Sequence, residues 1–200
     1  MTMQARPSTL RLILANRLSA IGMALFVLIL LIALAAPLLP LPDPDATDTA
    51  ARLRPPFSPG HPLGTDPLGR DLAARLLMAG RISLAVGFAA MALSMLIGIS
   101  VGLIAGFYGG VVGAVLMRFV DAMLCFPSIF LLLALAAFVQ PDVVSIIILI
   151  ALTAWMEVAR IVEGQIRALR ERDFAVAAEA MGARDSRVMF RELLPNAMAP

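Results

Sequence analysis

The sequence has no lysine, one cysteine, one histidine, one tryptophan and one tyrosine, and charged side chains make up only 15% of its 200 residues. Each shortage removes a class of function. Without lysine there is no GxxxxGK[ST] loop, so the chain has no such loop with which to cradle ATP phosphates itself. The single histidine, His61, excludes an HExxH metal site and leaves no Ser, His and Asp constellation inside the apolar runs. The single cysteine, Cys125, excludes a disulfide within the chain; lying in an apolar run, it reads as a small buried hydrophobe. All 16 basic residues are Arg, and they form no patch with interleaved aromatics, so nucleic acid is not an expected partner. No cofactor and no metal are expected either.

What the chain has instead is apolar length. Hydrophobic residues account for 60% and mean hydropathy is +0.91, a composition suited to a lipid bilayer rather than to a water-solvated domain. From Leu18 to Pro42, and again from Ile82 to Met117, no residue is charged. The first run follows a tail, 1–17, that carries Arg6, Arg11 and Arg17 and no acid. A cleaved signal peptide has an apolar part of about 7–15 residues and a small-residue cleavage site. The run here is longer and has no clear site of that kind, so 18–40 is predicted to remain as a first span. The second run is too long for one helix across about 30 Å of hydrocarbon and divides at Tyr108, Gly109 and Gly110. This gives a second span over 81–107 and a third over 113–139. After a turn at Gln140, Pro141 and Asp142, a fourth covers 143–162. The expected architecture is all-α, a polytopic transmembrane helix bundle with four spans. Arginine is concentrated in the tail, at Arg118 and from Arg160 to Arg191, and sparser in 41–81. The positive-inside rule therefore places the amino terminus and 163–200 in the cytoplasm and the loop 41–80 outside.

Within the second span Gly98, Gly102 and Gly106 recur at every fourth position, a stripe that serves close approach of another helix or ordinary internal packing. Arg118 and Asp121, three apart, are expected to neutralise each other near the cytoplasmic headgroups; Glu157 and Arg160 have the same spacing at the end of the fourth span. A secondary transporter or channel would set paired ionisable residues near the midplane, and a membrane enzyme would need a nucleophile and base inside the spans. Both alternatives are disfavoured by placing these four residues at cytoplasmic ends and His61 in the outer loop.

The loop 41–80 is rich in Pro and Asp and is predicted to be extended and solvated. It closes with HPLGTDPLGRD, His61 to Asp71, where Asp residues beside Pro and Gly read as turn formers rather than as a carboxylate pair, and His61 as no metal ligand. The second notable stretch is FAVAAEAMGARDSRVMFRELLP, Phe174 to Pro195. Its alanines favour a helix, Gly182 stands where a left-handed cap would end it, and a second short helix follows. On that second helix Arg184, Arg187 and Arg191 share one face while Val188, Met189, Leu193 and Leu194 lean to another, and Pro195 is expected to end the run.

The order Ala177, Ala178, Gly182, Leu194, Pro195 resembles the EAA loop of bacterial ABC-importer permeases, although Val176 stands at the family's Glu position and Glu179 lies outside it. HPLGTDPLGRD resembles the signature that opens the second span in dipeptide, oligopeptide and nickel-type permease subunits: His61, Gly64, Thr65, Asp66, Gly69, Arg70 and Asp71. The segment LMRFVDAMLCFPSIFLLLAL, and Trp155, Arg160, Gly164 and Gln165, resemble the same subfamily. The resemblance implies a non-catalytic subunit of a multi-pass importer in the bacterial cytoplasmic membrane. It implies a second permease subunit, two ATPase subunits docked on the EAA loops through Ala177, Ala178, Gly182, Arg184, Arg187, Leu194 and Pro195, and an extracytoplasmic substrate-binding protein. It also implies six spans in a complete subunit, two more than the four expected here.

Overall fold

The computed structural model describes residues 16–140 and 142–198; Arg6, Arg11 and Pro141 lie outside the described residues. The described elements are helices and turns, and the β pairing among them is confined to two isolated bridges, Ser58 with His61 and Thr65 with Asp71. The chain divides into two compact units, 1–85 and 86–200.

In the first unit α1 (Arg17–Ala35) starts at Asn16, whose side-chain oxygen accepts from the Leu18 amide at 3.0 Å. A 3-10 turn, Ala36–Leu38, follows it with Pro37 in its first positions. Helix α2 (Leu72–Tyr108) begins well before the predicted start of the second span. The predicted solvated loop therefore ends at Asp71. That residue caps the helix by accepting from the Ala74 amide at 2.7 Å, and Leu72, Ala73, Ala74, Leu76 and Leu77 are all good helix formers. Arg75 and Arg81 interrupt the charge-free stretch within this helix. Ile29, Ile32 and Ala33 of α1 line a common cavity with Leu76, Leu77 and Gly80. At about 1.5 Å per residue α2 is roughly 55 Å long, so part of it stands outside the hydrocarbon.

In the second unit α2 turns through Gly109 and Gly110, with φ of 58° and 49°, into α3 (Gly110–Leu124). A Cβ on Gly113 would lie 2.7 Å from the Ala105 carbonyl, so the two helices leave this turn in backbone contact. The third span is not one straight helix. Pro127, which has no amide hydrogen to give, separates α3 from α4 (Ser128–Ala136), and the two are bent by 83°. Cys125, at that bend, is exposed rather than buried.

Helix α5 (Val143–Arg170) is capped by Asp142 and carries Arg167 and Arg170 in its last turn, where cations suit the helix dipole. It outlasts the predicted 143–162. The glycine stripe of α2 lies on α5: a Cβ on Gly98 would come within 2.6 Å of Val158, and one on Gly106 within 2.8 Å of the Glu163 carbonyl. Helices α1 with its 3-10 turn, α2 and α5 are each long and apolar enough to cross a membrane, and α3 with α4 makes a fourth if the bent pair is one span.

Candidate functional site

Beyond α5 the chain forms α6 (Asp173–Ala180), a turn, α7 (Asp185–Arg187), a π-helical turn over Val188–Leu193, and α8 (Leu194–Ala197). Gly182, at φ 78°, ends α6. Its amide donates to the Glu179 carbonyl at 2.9 Å and the Ala183 amide donates to Ala178 at 3.1 Å, the paired bonds of a Schellman cap. Open space surrounds the position where a Cβ would stand, so glycine serves the backbone angle here and not a close approach. Pro195 does not end the helical run as predicted; it lies inside α8. A proline cannot donate to the carbonyl four residues back, and its ring crowds that carbonyl. The wider π turn precedes it, with the Leu194 amide donating to Met189.

Leu103 and Phe107 of α2, Ile166 of α5, Ala175 and Ala178 of α6, and Val188, Met189 and Leu193 of the π turn form one buried cluster. Ala178 thus faces inward while Ala177 faces solvent, and Leu194 is half-buried. At about 25 cal/mol per Å² of apolar area, burying side chains such as Leu193 and Ile166 stabilises this seat by roughly 1.5–3 kcal/mol each, an upper estimate. Phe174, Val176, Met181 and Phe190 remain exposed. Arg184, Arg187 and Arg191 are also exposed, and none is in an ion pair among the described residues.

Sequence reasoning missed Arg170. One guanidinium nitrogen donates to the Phe107 carbonyl, the last turn of α2, and the group lies 5.4 Å from the Phe107 ring centroid. The Nε is 3.8 Å from Glu179 on α6. Arg170 therefore ties the ends of α2 and α5 to α6. The nearby carboxylate comes from Glu179, one turn beyond exposed Val176. Only a long-range contact creates this node, and no local spacing signals it.

The 41–71 loop is compact, not merely extended. Gly64 and Gly69 have φ of 79° and 78°; a Cβ would strike the Arg54 carbonyl at the first and the Asp48 carbonyl at the second. Thr65 accepts from the Arg54 amide at 2.9 Å and donates to the Ala51 carbonyl. Asp66 accepts from the amides of Leu68 (2.8 Å) and Arg70 (3.0 Å), from Arg70 Nε (2.8 Å) and from Arg75 Nη1 (2.5 Å). Burial alone would raise the Asp66 carboxyl, but the Arg70 amide, the Arg70 guanidinium and the Leu68 amide outweigh it and hold the group at about 2. His61 Nδ1 meets Asp71 Oδ2 at 2.8 Å. For Asp71 too burial acts upward, while the Ala74 amide and His61 hold it below the usual carboxylate range. The residues of HPLGTDPLGRD are therefore the knots of one turn network.

Inside the apolar helices the expected Arg118–Asp121 pair is not formed. Asp121 pairs with Arg160 of α5, and Arg118 is exposed. The seam explains it: Val120 packs with Met156 and Ala159, and Phe119 stacks on Trp155 at 6.4 Å, which brings the next residues face to face. Arg118 and Asp121 lie within α3, which begins at Gly110, and Glu157 and Arg160 lie within α5, which continues to Arg170.

The sequence pattern described as "binding-protein-dependent transport system inner membrane component" matches residues 98–200, just over half of the chain. A second pattern, "N-terminal TM domain of oligopeptide transport permease C", matches residues 8–56. The chain is 37% identical over 184 residues to the oligopeptide transport system permease protein OppC of Bacillus subtilis, covering 92% of this chain and 60% of that protein. It is 38% identical over 185 residues to the dipeptide transport system permease protein DppC of Alkalihalophilus pseudofirmus, with coverage of 92% and 60%. Against the OppC protein of Escherichia coli K12 the identity is 37% over 184 residues, with coverage of 92% and 61%. The chain thus spans about 60% of the length of these relatives.

Proposed function

Since the chain belongs to the family of inner membrane components of binding-protein-dependent transport systems, we propose that it acts as a permease subunit of an ATP-driven peptide importer. The observation that carries the reading is the single buried cluster shared by the ends of α2 and α5 with the segment 173–197. A segment seated that way moves with the membrane helices as one body, because close-packed interiors transmit displacement rather than absorb it. Its exposed face offers Phe174, Met181 and Phe190 beside Arg184, Arg187 and Arg191, which are in no ion pair among the described residues, a surface for an ATPase subunit with an apolar pocket and acidic rim. In this reading Ala178, Gly182, Leu194 and Pro195 shape the segment, while Ala177, Arg184 and Arg187 touch the ATPase.

Sequence left peptide and nickel open; the names of the relatives favour peptides. The remaining partners are a second permease subunit, a second ATPase subunit and an extracytoplasmic binding protein. In this reading the arginine asymmetry argues for the amino terminus and 163–200 in the cytoplasm and the loop 41–80 outside, across the cytoplasmic membrane of a bacterium.

The deciding measurement is uptake of a labelled oligopeptide by cells whose own peptide importers are deleted, with the full-length protein and its partners restored. Uptake should appear and should vanish when the ATPase cannot hydrolyse ATP; uptake that persists without hydrolysis would favour a secondary transporter. For the topology, single cysteines at Thr49 and Ser186, with Cys125 removed, should react with an impermeant thiol reagent from opposite sides. Labelling of both from outside intact cells would overturn it.

A further inference from the structure

Helices α2 and α5 touch through glycine from Gly98 to Gly106 and part on the side toward Gly87. There a cavity of about 430 Å³ opens, lined by Ala90, Met91 and Ser94 of α2 and Ile150, Ala154 and Glu157 of α5. That volume lies within the usual range for small-molecule sites. Its walls are apolar except for the Ser94 hydroxyl and the Glu157 carboxylate. Glu157 is in no ion pair among the described residues, because Arg160, one turn on, is committed to Asp121. No charge comes from α2, which carries none beyond Arg81. The one formal charge on the cavity wall is therefore negative.

Glu157 is exposed on the open side of this cavity. An unpaired carboxylate on an otherwise apolar wall of a membrane helix is costly unless a partner reaches it, and residues of this kind mark solute pathways. We infer that this cavity binds a cation, specifically a primary ammonium on the transported solute such as the free amino terminus of a peptide. The inference rests on the transport reading above. An ammonium has three donors; the Glu157 carboxylate supplies charge and acceptors, and the Ser94 hydroxyl supplies one more.

The test uses the full-length importer in membrane vesicles, with Cys125→Ser and Ala154→Cys, and two thiosulfonate reagents, one bearing a quaternary ammonium and the other a sulfonate. Rates are normalised to those with a free thiol in solution. The cationic reagent should react about tenfold faster than the anionic one, and Glu157→Gln should bring the ratio near one. A ratio near one with Glu157 present, a ratio unchanged by Glu157→Gln, or no reaction with either reagent overturns the site. Millimolar glycylglycine should slow the cationic reagent severalfold and its N-acetyl form should not; equal protection by both, or by neither, overturns the ammonium assignment. If Ala154→Cys fails to insert, Ile150→Cys replaces it. Labelling does not require ATP-driven uptake, so its failure is distinct from failure of the transport reading, which uptake alone decides.

Discussion

The 41–71 loop and the 173–197 segment both lie outside the long apolar helices and both hold a defined shape, yet they do so by opposite means. The loop is sewn by polar groups: Thr65 and Asp66 collect backbone amides and guanidinium groups, and glycines let strands of chain pass within contact distance. The segment is seated by burial, with alanines and the branched side chains of Val188 and Leu193 pressed against helix ends. A polar knot fails when one atom is added or one proton is gained, whereas an apolar seat fails by losing volume. The two regions should therefore respond to different insults.

The largest effect is expected from Gly69→Val. It combines left-handed strain with a collision against the Asp48 backbone, and the two together should cost about 3–5 kcal/mol locally. The loop should become sensitive to protease added to the outer side, while the 173–197 segment keeps its contacts. Next comes Leu193→Ala, a cavity at a fully buried position, costing about 2–5 kcal/mol. Insertion should be retained and stimulation of ATP hydrolysis by loaded binding protein lost in the reconstituted complex. Retained stimulation would remove the buried seat from coupling.

Gly182→Val is milder. No neighbour opposes a Cβ there, so only the left-handed backbone resists, at about 1–2 kcal/mol. The helix angle should change enough to reduce the same stimulation without affecting insertion, and Val176→Glu, on an exposed face, should leave it at the wild-type level. The smallest effect is reversible and confined to the loop. Asp66 titrates at about 2 when folded, against 3.8 in a free chain, so its stabilisation is present above 3.8 and is lost as pH falls through about 2. Pepsin cleavage of the loop should rise over that window. Asp66→Asn should make cleavage fast at the upper end of the window and flatten the pH dependence.

How well the sequence foretold each region follows from the range of the forces involved. The left-handed cap at Gly182, the division at Gly109 and the contact stripe of α2 were legible because each depends on residues near in sequence or on a helical period. The Asp121–Arg160 pair was not, because a spacing of three suggests a local partner and says nothing of the helix packed alongside. Arg170 was invisible for the same reason, reaching back across 63 positions to Phe107. The early start of α2 was hidden by Arg75, a charge at the edge of the apolar run that the helix accepts while the side chain binds Asp66. In the outer signature the letters were plain, but their job as mutual hydrogen-bond partners appeared only in three dimensions.

The bend at Pro127 has a further consequence for the surroundings it tolerates. Between Leu124 and Ser128 the helical ladder is interrupted, and main-chain polar groups there need partners that acyl chains cannot supply. The elbow must accordingly be wetted or covered by protein. If α3 and α4 form one span, the outside of the elbow is the part of that span least suited to face acyl chains.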